Sequence, residues 1–140
     1  MNLIDYLIDT YKNKEDWHDT RMKDWQVKEH YQRQLGRGNI VFMYDDNDEP
    51  VGYLEIYWLD NKQLGKMINK KFFDVLAEDL TDGDFVYVAS AYLEPEYRNK
   101  GYIYDLNRLM KDKHKDHEYV GIIYEEQNTG NFQFYKKGEI

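Results

Sequence analysis

The sequence predicts a mixed α/β fold of the α+β kind, and three observations predict it. Two apolar runs, Ile40 to Tyr44 and Val51 to Leu59, flank the acidic turn Asp45-Asp46-Asn47-Asp48-Glu49-Pro50, the pattern of a β-hairpin. A third run, Phe85 to Leu93, is apolar, β-branched and aromatic, which marks a buried strand. Segments with apolar residues at helical spacing precede the hairpin and stand on both sides of the third strand. Helices, a hairpin, then strand–helix–strand–helix imply helices packed on one mixed sheet.

The elements follow in order. Residues 3–12 and 14–35 are expected to be helical, with Trp17, Val27, Tyr31 and Leu35 near one core-facing side and Gly36 and Gly38 as the stop. His18 and His30 fall on the polar flanks of the second helix. The acidic hairpin loop lacks the glycine and distal glutamate of a calcium loop, so it is expected to be a solvated turn. Residues 62–80 form one more helix through Leu64, Met67, Ile68, Phe72, Val75 and Leu76, and Thr81-Asp82-Gly83-Asp84 breaks it. A helix at roughly 102–114 carries Leu106, Leu109 and Met110. Tyr119 to Tyr124 is a further strand, and an amphipathic helical segment, Thr129 to Lys137, closes the pattern.

Composition narrows the function. At 140 residues the chain fits one domain, residues 1–140, with a helical part at 1–38 and a sheet core at 39–140. Fourteen tyrosines and a mixed set of charges suit a folded protein with a wet surface. The formal net charge of −8 opposes general nucleic-acid or membrane-surface binding, which needs a positive footprint. No cysteine is present, so disulfides, thiolate catalysis and cysteine-ligated zinc are excluded. Asp5 and Asp9 interrupt the first segment, which has no basic leader region, and no run is long enough to span a membrane; a cytoplasmic location is expected. His114 and His117 lie in a Lys/Asp-rich helix end without a third ligand, so no metal is expected.

The chemistry concentrates at Tyr97-Arg98-Asn99-Lys100-Gly101-Tyr102-Ile103. A strand that ends in a basic, glycine-containing turn and enters a helix suits a pyrophosphate. Amides at the helix start point outward, the dipole favours an anion, and glycine lets the backbone approach the ligand. Here the chain resembles the GCN5-related N-acetyltransferases (GNAT). That family carries an Arg/Gln-x-x-Gly-x-Gly/Ala turn after a strand, and this chain has Leu93-Glu94-Pro95-Glu96-Tyr97 followed by Arg98 to Ile103. Asn128 and Tyr135 match the family's later Asn and Tyr in spacing, with Asn131 where a small residue is usual. Pro50-Val51-Gly52-Tyr53 resembles the start of the family's third strand. The resemblance covers about 100 of the 140 residues, with residues 85–138 and the hairpin at 40–59 carrying it.

What the resemblance implies is a mostly antiparallel GNAT-like central sheet flanked by helices, and acetyl transfer from acetyl-CoA, a co-substrate, to a small-molecule or protein amine. The amides of Asn99, Lys100, Gly101, Tyr102 and Ile103 would cradle the diphosphate, with Arg98 and Lys100 adding charge. Amides at Tyr92 and Leu93 would pair with the pantetheine arm as strands pair. Asn128 would contact the same arm. Tyr135 would act as general acid to the leaving thiolate. Glu55, Glu94, Glu125, Glu126 or an ordered water are the open choices for a base. Three departures are visible: Ile103 replaces a small residue, helices stand where the family has a first strand, and the usual last strand pair is expected to be missing. These favour a second reading, an inactive interaction or assembly module, in which a second copy or a partner chain completes the sheet edge.

Overall fold

The computed structural model describes residues 2–14, 23–68, 83–125 and 132–138. In chain order these form α1 (Leu3–Asn13), α2 (Asp24–Gly36), β1 (Ile40–Tyr44), β2 (Pro50–Leu59), α3 (Asn61–Ile68) and β3 (Phe85–Leu93). A 3-10 turn (Pro95–Tyr97), α4 (Tyr102–Lys113), β4 (Gly121–Glu125) and β5 (Phe132–Lys136) follow. The strands make one sheet in the order β1-β2-β3-β4-β5. β1/β2 and β4/β5 are antiparallel, whereas β3/β4 is parallel and connected through α4. The parallel pairing runs from Phe85↔Gly121 to Tyr87↔Ile123, and β3 continues beyond it to Leu93. This is the expected mixed, mostly antiparallel sheet with flanking helices.

The chain divides into two compact units, Met1–Glu55 with Ser90–Lys113 and Ile56–Ala89 with His114–Ile140. In the first, Tyr6, Leu7 and Tyr11 of α1 and Val27 and Tyr31 of α2 bury against Ile40, Tyr53 and Tyr92. Their spacings of one helical turn put these side chains on one stripe per helix. The stripe starts where the Asn2 side chain accepts the Ile4 amide at 2.8 Å, satisfying a donor the helix cannot. The pairings Ile40↔Glu55 and Phe42↔Tyr53 set all four residues on one sheet face. Asp45 holds the hairpin loop by accepting the amides of Asn47 (2.8 Å) and Glu49 (3.0 Å), so the acidic cluster is used as a turn.

In the second unit Tyr57, Leu59, Tyr87 and Ile123 form the core, with Leu64, Phe85 and Ala89 against them. Tyr57 and Tyr87 stack at 6.1 Å. The indole of Trp58 is 4% exposed and lies 3.8 Å, ring to ring, from His117, with His114 edge-on at 5.3 Å. The two histidines are therefore packed on tryptophan rather than fully solvated, as the Lys/Asp-rich surroundings had suggested. Aromatic packing decides their position.

Other expectations also change. The second helix begins at Asp24; residues 15–22, including Trp17 and His18, lie outside the described residues. Of the helix expected at 62–80, Asn61–Ile68 is present and 69–80 lies outside them. The segment 129–137 was expected to be helical, but Phe132–Lys136 is a strand, paired with β4 from Glu125↔Phe132 to Gly121↔Lys136. Five residues cannot bury much as a helix, while as a strand Phe134 fills the space over Gly121. A Cβ at Gly121 would stand 2.5 Å from the Phe134 ring. Long-range pairing thus overrides a short helical pattern. His30 is not on a polar flank; it is 9% exposed and faces the core. On α4, Leu106 and Met110 are buried, whereas Leu109 is half exposed.

Candidate functional site

β3 delivers the chain to the basic turn. At its end the Glu94 amide donates to the Val51 carbonyl at 2.9 Å, which fixes the strand exit to β2. Gly52 makes that approach possible: a Cβ there would lie 2.6 Å from Leu93 Cδ2 and 2.7 Å from the Tyr92 carbonyl. Pro95 then opens the 3-10 turn, closed by Tyr97 N–H to Glu94 C=O (2.9 Å). Asn99 (φ 62°) and Gly101 (φ 81°) both adopt left-handed backbone on either side of Lys100. Left-handed residues alternating along a turn are the backbone pattern of a nest, in which consecutive N–H groups curve toward one point. Among the described residues, no backbone acceptor takes the amides of Asn99 to Ile103, and α4 starts immediately after. A Cβ at Gly101 would meet nothing within 4 Å, so its glycine is required by φ, and the turn is open there.

The side chains around the nest divide into two sets. Asn99, Lys100 and Arg98 are exposed, and Tyr102 and Ile103 are partly buried. Ile103 is the second residue of α4, so its amide is among those the helix leaves without a partner. Arg98, expected as a phosphate cation, is held: its Nε donates to the Leu93 carbonyl at 2.8 Å and its guanidinium lies 5.4 Å from the Tyr92 ring centre. Tyr92 is 8% exposed and its hydroxyl donates to Glu94 Oε2 at 3.4 Å. Glu94 Oε1 takes the Lys14 ammonium at 2.7 Å, just past the end of α1. The hydrogen bond to Glu94 raises the Lys14 pKa above the ordinary lysine value. Burial, then the Glu94 charge, raises the Tyr92 phenol.

The remaining sequence candidates stand as follows. Tyr92, Leu93 and Arg98 to Ile103 come together in one stretch of the first unit. Asn128 and Glu126 lie outside the described residues, as does the side chain of Glu125. Tyr135 belongs to the second unit, where it lies on β5 opposite Ile122 of β4. Its hydroxyl donates to Gln133 Oε1 at 2.7 Å, and its ring is edge-on to Tyr124 at 5.9 Å. Burial, with Tyr135 beside it, raises the Tyr124 phenol. Glu55 is 2% exposed and tied to His30 and Gln34, and Glu94 is ion-paired, so neither is a free carboxylate. Sequence reading missed Lys14, 80 positions from its partner, and the close approach at Gly52. Only the Pro-Val-Gly run gave any signal for the second.

Comparisons with known proteins bear on the fold and the family. The loading GNATL domain of CurA from Lyngbya majuscula superposes with a TM-score of 0.57 at 18% identity, covering 87% of this chain and 58% of that one. This chain thus spans less than two thirds of that protein's length. A predicted acetyltransferase from Clostridium acetobutylicum, with acetyl-CoA, gives 0.57 at 13% identity over 91% of this chain and 77% of that one. The GNAT family N-acetyltransferase YhbS from Escherichia coli, in complex with CoA, gives 0.55 at 15% over 97% and 77%. At these identities the likeness is one of fold. No curated protein matches the sequence. The sequence itself matches the acetyltransferase (GNAT) family over residues 2–138, almost its whole length, and the chain belongs to that family.

Proposed function

We propose that this protein is an N-acetyltransferase that uses acetyl-CoA and acetylates an amine, on a small molecule or a protein. The observation that carries the reading is the nest: Asn99 and Gly101 in left-handed backbone, Lys100 between them, and α4 directly behind. Those features fit a diphosphate, which needs converging N–H groups and a local positive charge within an acidic protein. The stretch of β3 beyond Tyr87 offers backbone to an extended arm, with Tyr92 and Leu93 at its end. Bound acetyl-CoA supplies an activated acyl group. The amine nitrogen then bonds to the acyl carbon as the carbon–sulfur bond breaks; the amine proton passes to water and Tyr135 O–H protonates the thiolate.

A coupled assay of free thiol release with a panel of amines tests this. The wild type should release thiol only when an amine is present, and Tyr135→Phe should lower kcat by about 10²-fold, the scale of general acid catalysis, with coenzyme affinity retained. Equal rates in both proteins would remove Tyr135 from the mechanism. A second reading, an assembly module, is favoured by one feature: β5 ends the strand order and carries Phe134 at 46% exposure. In that case a second copy or a partner chain would extend the sheet, and thiol release would be absent. Among the described residues no helix is long and apolar enough to cross a membrane.

A further inference from the structure

Arg98 and Glu94 carry charges whose simple reading conflicts with their contacts. By charge alone, Arg98 should bind the diphosphate and Glu94 should repel it. The geometry gives each a different task. Arg98 uses Nε on the Leu93 carbonyl, five residues back, and so closes the strand exit into a ring around the 3-10 turn. Its guanidinium lies over Tyr92, and that ring is in turn held at its hydroxyl by Glu94. Glu94 also receives Lys14 at 2.7 Å, and Lys14 lies 5.6 Å from the Tyr6 ring centre, in the buried aromatic cluster of α1. A continuous chain of contacts therefore runs from the end of α1 to Arg98, the residue before the nest. Lys14 already neutralises Glu94, so the carboxylate offers little net repulsion to a bound anion.

We propose that Glu94 is a positioning residue for the nest: with Lys14 and Tyr92 it fixes Arg98 against Leu93 and thereby sets the left-handed turn at Asn99 and Gly101. This rests on the coenzyme reading of that turn for its effect on affinity, though not for its effect on the turn itself. The two accounts of Glu94 predict opposite signs. If it acts only through charge, Glu94→Gln tightens CoA binding. If it positions, Glu94→Gln weakens CoA binding by about fivefold or more, the scale of coupled neighbours.

The experiment is calorimetric titration of CoA into the wild type, Glu94→Gln, Lys14→Met, Arg98→Gln and the Glu94→Gln/Arg98→Gln double variant, with amide hydrogen exchange on each protein without ligand. Positioning predicts weaker binding in all variants and a double variant little worse than either single one. It also predicts faster exchange at Tyr97, Arg98 and Tyr104, whose amides are bonded across the turn to Glu94, Pro95 and Gly101, while the α1 amides stay protected, a pattern that general destabilisation does not give. Tighter or unchanged binding in Glu94→Gln, or additive losses, overturns the proposal. Should the wild type fail to bind CoA, the acetyltransferase reading falls, and exchange alone decides: faster exchange confined to the turn sustains the positioning role, and unchanged exchange ends it.

Discussion

Replacing His30 with alanine is expected to cost about 3–5 kcal/mol of stability, the usual penalty for removing one member of a buried ionisable pair. His30 Nε2 lies 2.9 Å from Glu55 Oε2, and the same oxygen accepts the Gln34 amide at 3.0 Å. Gln34 in turn accepts Asn39 Nδ2 at 3.0 Å. His30 and Gln34 stand one turn apart on α2 and Glu55 faces them from β2, so one carboxylate joins a helix to the sheet. Glu55 is 2% exposed, and losing His30 leaves its charge with fewer partners where water cannot replace them. Urea denaturation should show the midpoint falling with little change in slope. His30→Leu combined with Glu55→Met should recover part of the loss, because a packed apolar pair has no charge to desolvate although the buried Gln34 amide loses its Glu55 acceptor. A drop below about 1 kcal/mol for His30→Ala would show that the network contributes only as surface pairs do.

Gly52→Ala is expected to cost up to about 3 kcal/mol, at the upper end for an added methyl in a packed region. The added carbon would meet Leu93 Cδ2 at 2.6 Å and the Tyr92 carbonyl at 2.7 Å. Leucine can turn aside, but the carbonyl belongs to the β3 backbone and moves only with the strand. Moving it disturbs the bond from the Glu94 amide to Val51 and the Leu93 carbonyl that Arg98 caps. Stability and coenzyme affinity should therefore fall together, with kcat at saturating coenzyme less affected. Retention of wild-type affinity by Gly52→Ala would separate the strand exit from the nest.

Much of this was legible in the sequence because local signals and long-range packing agree. The hairpin at 40–59, the strand 85–93 and the helix after Gly101 each have a periodicity that the tertiary structure merely completes. The left-handed turn was legible for a related reason, since a glycine between a strand and a helix suits a positive φ. The misreadings lie where a pattern is short or a partner distant. Phe132–Lys136 carries too few residues to tell a helix from a strand, and pairing with β4 decides it. His30 looks solvated beside Glu29 and Gln32, and its buried partner Glu55 stands 25 positions away, beyond any local pattern. Lys14 and Glu94 are equally invisible to a local reading. Arg98 was expected to face a phosphate, and its bond to Leu93 depends on a backbone path that spacing does not encode.

Titration of CoA into ¹⁵N-labelled protein tests directly whether the Arg98–Ile103 turn binds the diphosphate of coenzyme A. The amide resonances of Asn99, Lys100, Gly101, Tyr102 and Ile103 should shift most and saturably, and Gly101→Val, which puts a β-branched residue at φ 81°, should abolish those shifts. Saturable shifts elsewhere with these five amides unmoved, or no shifts at millimolar CoA, would contradict binding there.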